Sequence, residues 1–311
     1  MIVQPRKPEL ITDGLLAQKT LEQLEAAPLR DNGIMRGVGR GAGNLRGFGG
    51  GASYLDSVLA STICDLDATV SDSYGGSGQT WANLIASPAD GASQSDYDFY
   101  LGAGSGSSTD DPTFNGTAGD AAAYWSFDGG DYFSLALGSS NETTFLLDML
   151  QANTDFWIAI AGYFTASACG LFCIGHQVGG TQYYLMFRQN GAGKARLDQR
   201  AGSTNRWLAS TGTFSYSTPV LLICSHDVSA NTTRFWLEST SSESNSHTLI
   251  NHSNTPNSSP PVIMAESAPS DYAGSGSRLY HLSFGNEFID DTDAANIYTH
   301  LESRHARDYT P

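Results

Sequence analysis

Several residue groupings in this 311-residue chain have types that could do chemistry, and each carries a plain structural alternative. His226-Asp227 comes nearest to a general-base pair, yet neighbours on a strand point to opposite faces, so a polar strand end explains them better. Glycoside hydrolysis needs two carboxylates at a set separation across the scissile bond. Glu142 and Asp148 flank a Thr-Thr-Phe-Leu-Leu run, and Glu238 and Glu243 straddle a serine-rich turn, neither with the alternating spacing of a strand. Gly76-Ser77-Gly78 and Gly274-Ser275-Gly276 lack the G-x-S-x-G frame of a nucleophile elbow. Cys169 and Cys173 form a C-x3-C pair with no matching His or Cys pair; with Cys64 and Cys224 they read as buried thiols. Asp128 and Asp131 offer carboxylate oxygens to calcium, but calcium takes about six or more, and Asp128-Gly129 equally makes a simple turn. The expectation is no catalytic residue, no metal and no cofactor.

Recognition is the chemistry that remains. Aromatic rings with polar edges stack on sugar faces, and Tyr184, Arg188, Trp207 and Trp236 are the outward candidates for glycan contact. Each could as readily be covered by a loop or a neighbouring subunit, since Trp is usually well buried.

The elements that would position these residues are strands. Charged residues make up 15% of the chain, while Gly, Ser, Thr, Asn and Asp are abundant, which favours strands joined by turns. Period-two runs recur at Phe156 to Phe164, Tyr183 to Arg188, Ala195 to Arg200, Val220 to Cys224, Phe235 to Glu238 and Leu279 to Phe284. Such repetition predicts a two-sheet sandwich. The Phe156 and Val220 runs are apolar on both faces and predict central strands. Ser239 to Pro261 predicts a long exposed loop. A closing helix from Asp290 to about Arg304 places Ala294, Ile297, Tyr298 and Leu301 on one face, with acids at its start and bases at its end that suit the helix dipole.

The formal charge of −16 is unevenly placed: seven Lys/Arg face five Asp/Glu in residues 1 to 50, but nine face 27 in the remainder. An acidic body repels nucleic acid and argues against a nucleic-acid partner. No stretch approaches the roughly 20 apolar residues of a membrane span, and no signal-peptide core follows the first basic residues.

Residues 1–53 read as an arm. Thr12 caps a helical pattern carrying Ala17, Leu21 and Leu24 on one face, too short to be stable without a packing partner. A Gly-rich stretch follows with Ile34, Met35, Arg36, Arg40, Leu45, Arg46 and Phe48 interleaved. It reads either as a flexible linker or as an extended docking arm, and its apolar side chains favour the arm.

Two segments join these observations. Asp67-Ala68 through Ser73-Tyr74-Gly75-Gly76-Ser77-Gly78-Gln79-Thr80-Trp81-Ala82-Asn83-Leu84 reads as a strand, a Gly/Ser turn and a Trp-anchored return. Tyr124-Trp125-Ser126-Phe127-Asp128-Gly129-Gly130-Asp131-Tyr132-Phe133 reads as a strand broken by an Asp-Gly turn. Together with Arg278 to Phe284, Phe288 and the closing helix, they resemble the laminin-G-like, concanavalin A-like domains of tailed-bacteriophage virion proteins. The resemblance covers residues 54–311. It implies an all-β, concanavalin A-like two-sheet jelly-roll sandwich (54–311) behind an N-terminal helical and Gly-rich arm (1–53), with a short C-terminal helix. It also implies a non-enzymatic virion-surface protein, a capsid decoration or head appendage anchored through residues 1–51 to a major capsid or tail protein. A homo-oligomer, trimer or dimer, and contact with host surface glycans are further expectations. The alternatives are a tail-associated receptor-binding module and, third, a glycan hydrolase, although the E-x-D-x-x-E strand of hydrolases with this fold is absent here.

Overall fold

The computed structural model describes residues 54–137, 143–178, 181–253, 259–266 and 271–309. The chain divides into two units, Met1–Gly51 and Ala52–Pro311, and every described residue belongs to the second. The arm residues Leu21, Leu24, Ile34, Met35, Arg36, Arg40, Leu45, Arg46 and Phe48 therefore lie outside the described residues.

The alternating runs pair into two antiparallel eight-stranded sheets. Sheet one runs β14 (Glu243–Ser246), β13 (Thr232–Leu237), β12 (Pro219–Asp227), β7 (Phe156–Tyr163), β16 (Arg278–Gly285), β5 (Tyr124–Ser126) and β4 (Thr113–Asn115), with β1 (Thr62–Asp67) also paired to β16. Sheet two runs β11 (Thr204–Ala209), β10 (Ala195–Ala201), β9 (Thr181–Gln189), β8 (Cys169–Val178), β15 (Val262–Ile263), β6 (Phe133–Leu135), β3 (Phe99–Leu101) and β2 (Thr80–Trp81). Helices α1 (Thr144–Leu150) and α2 (Asp291–His305) complete the body. The expected all-β, two-sheet jelly-roll sandwich is what these strands form.

Core packing explains both signature segments. Trp81 and Trp125 meet with ring centroids 5.7 Å apart, Phe133 lies 4.9 Å from Trp81, and Tyr74 sits edge-on to Trp125 at 4.6 Å. Asn83 takes the Asp65 amide on its Oδ1 at 2.9 Å and donates Nδ2 to the Ile63 carbonyl at 3.1 Å, which ties the return segment to β1. The Asp128-Gly129 turn joins β5 in sheet one to β6 in sheet two, so it arches between layers instead of closing a hairpin. Three further elements depart from the sequence expectation. Strand β14 lies within the expected Ser239 to Pro261 loop, and neither β4 nor α1 was anticipated.

Strands β7 and β12 are central in sheet one, as their two apolar faces predict. Phe156, Ile158 and Ile160 enter the core between the sheets, whereas Trp157, Ala159 and Ala161 join Leu221 and Ile223 beneath α2. The helix starts on an Asp290 cap that accepts from the Thr292 and Asp293 amides, and it buries Ala294, Ile297, Tyr298 and Leu301.

Its last turn does more than answer the dipole. Asp65 and Asp67 alternate away from the core on β1 and are fully buried against that turn. Arg304 Nη1 lies 2.8 Å from Asp67 Oδ2 and 3.4 Å from Asp65 Oδ1, His305 Nε2 lies 3.0 Å from Asp67, and His281 Nδ1 lies 3.4 Å from Asp65. Burial alone would push the Asp67 carboxyl up; the His305 and His281 rings and the Arg304 guanidinium hold it well below the usual carboxylate range. Removing one partner strands buried charge, which costs far more than an exposed pair. We therefore expect Arg304→Met to lower unfolding stability by about 3–5 kcal/mol in urea titration. Arg206→Met, at an exposed site, should shift it by less than about 0.5 kcal/mol. Equal small losses would contradict the clasp.

Candidate glycan-binding face

Helix α2 packs on the outer face of sheet one over β7, β12, β13 and β16, whereas among the described residues no helix packs on the outer face of sheet two. Register sets its side chains in rows. Gly170, Arg188, Arg196 and Ala209 align across β8 to β11; Cys173, Met186, Asp198 and Trp207 form the next row; Gly175, Tyr184, Arg200 and Asn205 the third. The opposite faces of the same strands send Leu185, Phe187 and Leu197 into the core.

Trp207, on edge strand β11, is 57% exposed and is the exposed large apolar side chain among the described residues. The Arg196 guanidinium stacks over its ring at 4.6 Å. Beneath them Asp198 is buried, accepting from Arg196 Nε and lying 3.9 Å from Arg188 Nη1. Arg188 is fixed from above by Glu266 at 2.6 Å. A missing side chain permits that contact: a Cβ on Gly170 would lie 2.2 Å from the Ala265 carbonyl oxygen, so glycine lets the Ala265-Glu266 backbone cross directly over β8. Burial pushes the Asp198 and Glu266 carboxyls up, opposed by the adjacent arginines. Arg200 donates Nε to the Gly202 carbonyl at 3.1 Å and Nη1 to Gln182. Tyr184 is half-buried beside the small apolar cluster of Tyr132, Cys173, Met186, Val262 and Ala265.

Of the four residues expected to face outward, Tyr184, Arg188 and Trp207 share this surface. Trp236 does not. It is fully buried under α2, with Nε1 donated to Asp291 Oδ1 at 2.9 Å, because β13 lies beneath the helix that closes sheet one. Sequence reasoning did not single out Arg196, Asp198 or Glu266 as site residues. The alternation of Arg196, Asp198 and Arg200 against Ala195 and Leu197 marked the first two as one face; Glu266, distant in sequence and brought in by the glycine contact, left no local signal.

The other groupings resolve as structure. Nδ1 of buried His226 pairs with Thr233 Oγ1 at 2.8 Å, and burial pulls its pKa down to about 4, while Asp227 accepts the Ala230 amide in the following turn. Asp128 accepts the Gly130 amide at 3.0 Å and Asp131 accepts the Asp128 amide at 2.9 Å, so both carboxylates serve the turn; burial raises the Asp131 pKa to about 6. All four cysteines are buried free thiols. Asp67, His281 and His305 bring ligand-type atoms within 4.8 Å of one another. Arg304, 2.8 Å from the same carboxylate, already supplies the cation there, and the far ring nitrogens are engaged by Ser283 and Tyr309. Among the described residues no helix is long and apolar enough to cross a membrane.

No protein-family model and no curated protein sequence matches the chain. Among solved structures it is similar to the CBM40 of Ruminococcus gnavus IT-sialidase bound to alpha2,3 sialyllactose, at 12% identity and a TM-score of 0.45, covering 56% of this chain and 95% of that one. It is also similar to Trypanosoma rangeli sialidase in complex with sialic acid, at 12% identity and a TM-score of 0.49, covering 79% of this chain and 33% of that one. A mutant of the Trypanosoma rangeli enzyme displaying trans-sialidase activity matches at 11% identity and a TM-score of 0.46, covering 82% and 36%. The chain thus spans about a third of the length of the sialidases it matches.

Proposed function

We propose that the sandwich is a non-enzymatic glycan-binding module carried on the surface of a tailed-phage virion. The observation that carries the binding reading is the exposed Trp207 backed by Arg196 on an outer sheet face that no described helix covers. An indole with one side on a guanidinium offers a flat apolar surface rimmed by donors, which matches the C–H face and hydroxyl edge of a sugar ring. The carboxylates of this face argue for binding over hydrolysis. Asp198, its side chain 2% exposed, lies under two arginines and cannot reach a scissile bond, while Glu266 is engaged by Arg188. Two acids flanking a substrate, as most glycoside hydrolases use, are not what this face presents.

The virion setting rests on the resemblance of both signature segments to phage virion domains and on an arm whose apolar residues need a partner to pack against. In this reading the arm docks on a capsid or tail protein, and the module is carried as a homo-oligomer.

Saturation-transfer NMR against a panel of bacterial surface oligosaccharides tests the binding reading. Contact should be seen with at least one glycan, and Trp207→Ala should weaken it at least tenfold with the fold unchanged. Unaltered binding in that variant, or release of reducing sugar from the panel, would refute it. Deleting residues 1–51 should abolish incorporation into particles, scored by copy number in purified virions. Full occupancy by the truncated chain would refute anchoring.

A further inference from the structure

The distribution of cations suggests which glycans the face takes, an inference that rests on the glycan-binding reading. Beyond residue 50 the chain holds nine Lys/Arg against 27 Asp/Glu, so a random stretch of surface is anionic. Residues 181–209, the β9–β10–β11 meander, reverse this: they hold Arg188, Lys194, Arg196, Arg200 and Arg206, five of the nine, against Asp198 within the meander and Glu266 packed onto it. A neutral sugar has no use for such a concentration, whereas an anionic ligand approaching an otherwise repulsive body requires it.

The cations are not equally committed. Lys194 donates Nζ to the Ser210 and Thr211 carbonyls, at 3.1 Å each, and Arg206 lies on the opposite side of its strand from Trp207. Arg188 is held by Glu266. Arg196 differs: its Nε is fixed by Asp198 and its plane by Trp207, and among the described residues its terminal nitrogens carry no hydrogen bond. A guanidinium locked in orientation with its outer edge unspent is a fork for a planar, two-oxygen anion. Arg200, in the next row, adds positive potential on the same face.

We infer that this face selects carboxylated saccharides, the carboxylate seated on the terminal nitrogens of Arg196 and a neighbouring sugar unit of the saccharide chain lying against Trp207.

Matched ligand pairs test this on the intact protein by calorimetric titration: tetragalacturonate against its carboxyl-reduced form, and 3′-sialyllactose against lactose. The acidic member of at least one pair should bind at least tenfold more tightly at low salt. That advantage should shrink at least fivefold on raising sodium chloride from about 50 to 500 mM, as screening requires. Arg196→Gln should bring the acidic member down to its neutral counterpart. Because removing Arg196 also exposes Asp198 to loss of its partner, Arg200→Gln provides a second variant, expected to reduce the preference with folding intact. Equal binding of acidic and neutral members would overturn the inference and leave the glycan reading standing. Absence of binding to all four probes would overturn the inference, and the glycan reading with it only if the oligosaccharide panel is also silent.

Discussion

The buried pairing of Asp65 and Asp67 with Arg304 decides how this sandwich presents itself. Two carboxylates on one strand point away from the core and have no access to water, so the fold tolerates them only while a cation is held against them. That cation comes from the last turn of a helix 237 residues further along the chain. The helix is thereby fastened over β7, β12, β13 and β16, where Ala159 and Ala161 leave room for it between Trp157 and Tyr280. The outer face of the opposite sheet has no such cover by a helix among the described residues.

On that second sheet the same pattern recurs at smaller scale, with acids used to orient bases. Asp198 and Glu266 hold Arg196 and Arg188 where the sheet register sets them, and Trp207 takes the exposed position at the edge. Pre-orienting long side chains lowers the entropy that a ligand must remove on binding. Gly170 belongs to this arrangement because any side chain there would exclude the backbone that carries Glu266.

Much of this could be read in the sequence. Alternation located β7, β9, β10, β12, β13 and β16 but not β8, two-sided apolar runs identified β7 and β12 as central, and helical spacing picked out the buried face of α2. Legibility failed where tertiary contacts override local pattern. Trp236 alternates like an outward residue because sequence cannot see the helix that arrives to cover it. Arg304 looks like a dipole-complementing base until Asp65 and Asp67 of β1 are placed beneath it. Short strands β4 and β14 sit in Ser-, Asn- and Asp-rich stretches whose composition suits turns, and they are strands through pairing with β5 and β13. Of the candidate face, Trp207, Tyr184 and Arg188 were legible; the contact of Glu266 was not, since it depends on close approach at a glycine far away in the chain.

The central claim is that the face of sheet two is the working surface and that the face of sheet one is closed by its helix. Residue-resolved amide chemical-shift mapping during titration with a bound oligosaccharide tests it most directly. The account predicts perturbations clustered at Tyr184, Arg188, Arg196 to Asp198 and Trp207, with the amides of α2 unmoved. Perturbations centred on α2, or on the turn at Asp128 to Asp131, with β9 to β11 silent, would contradict it.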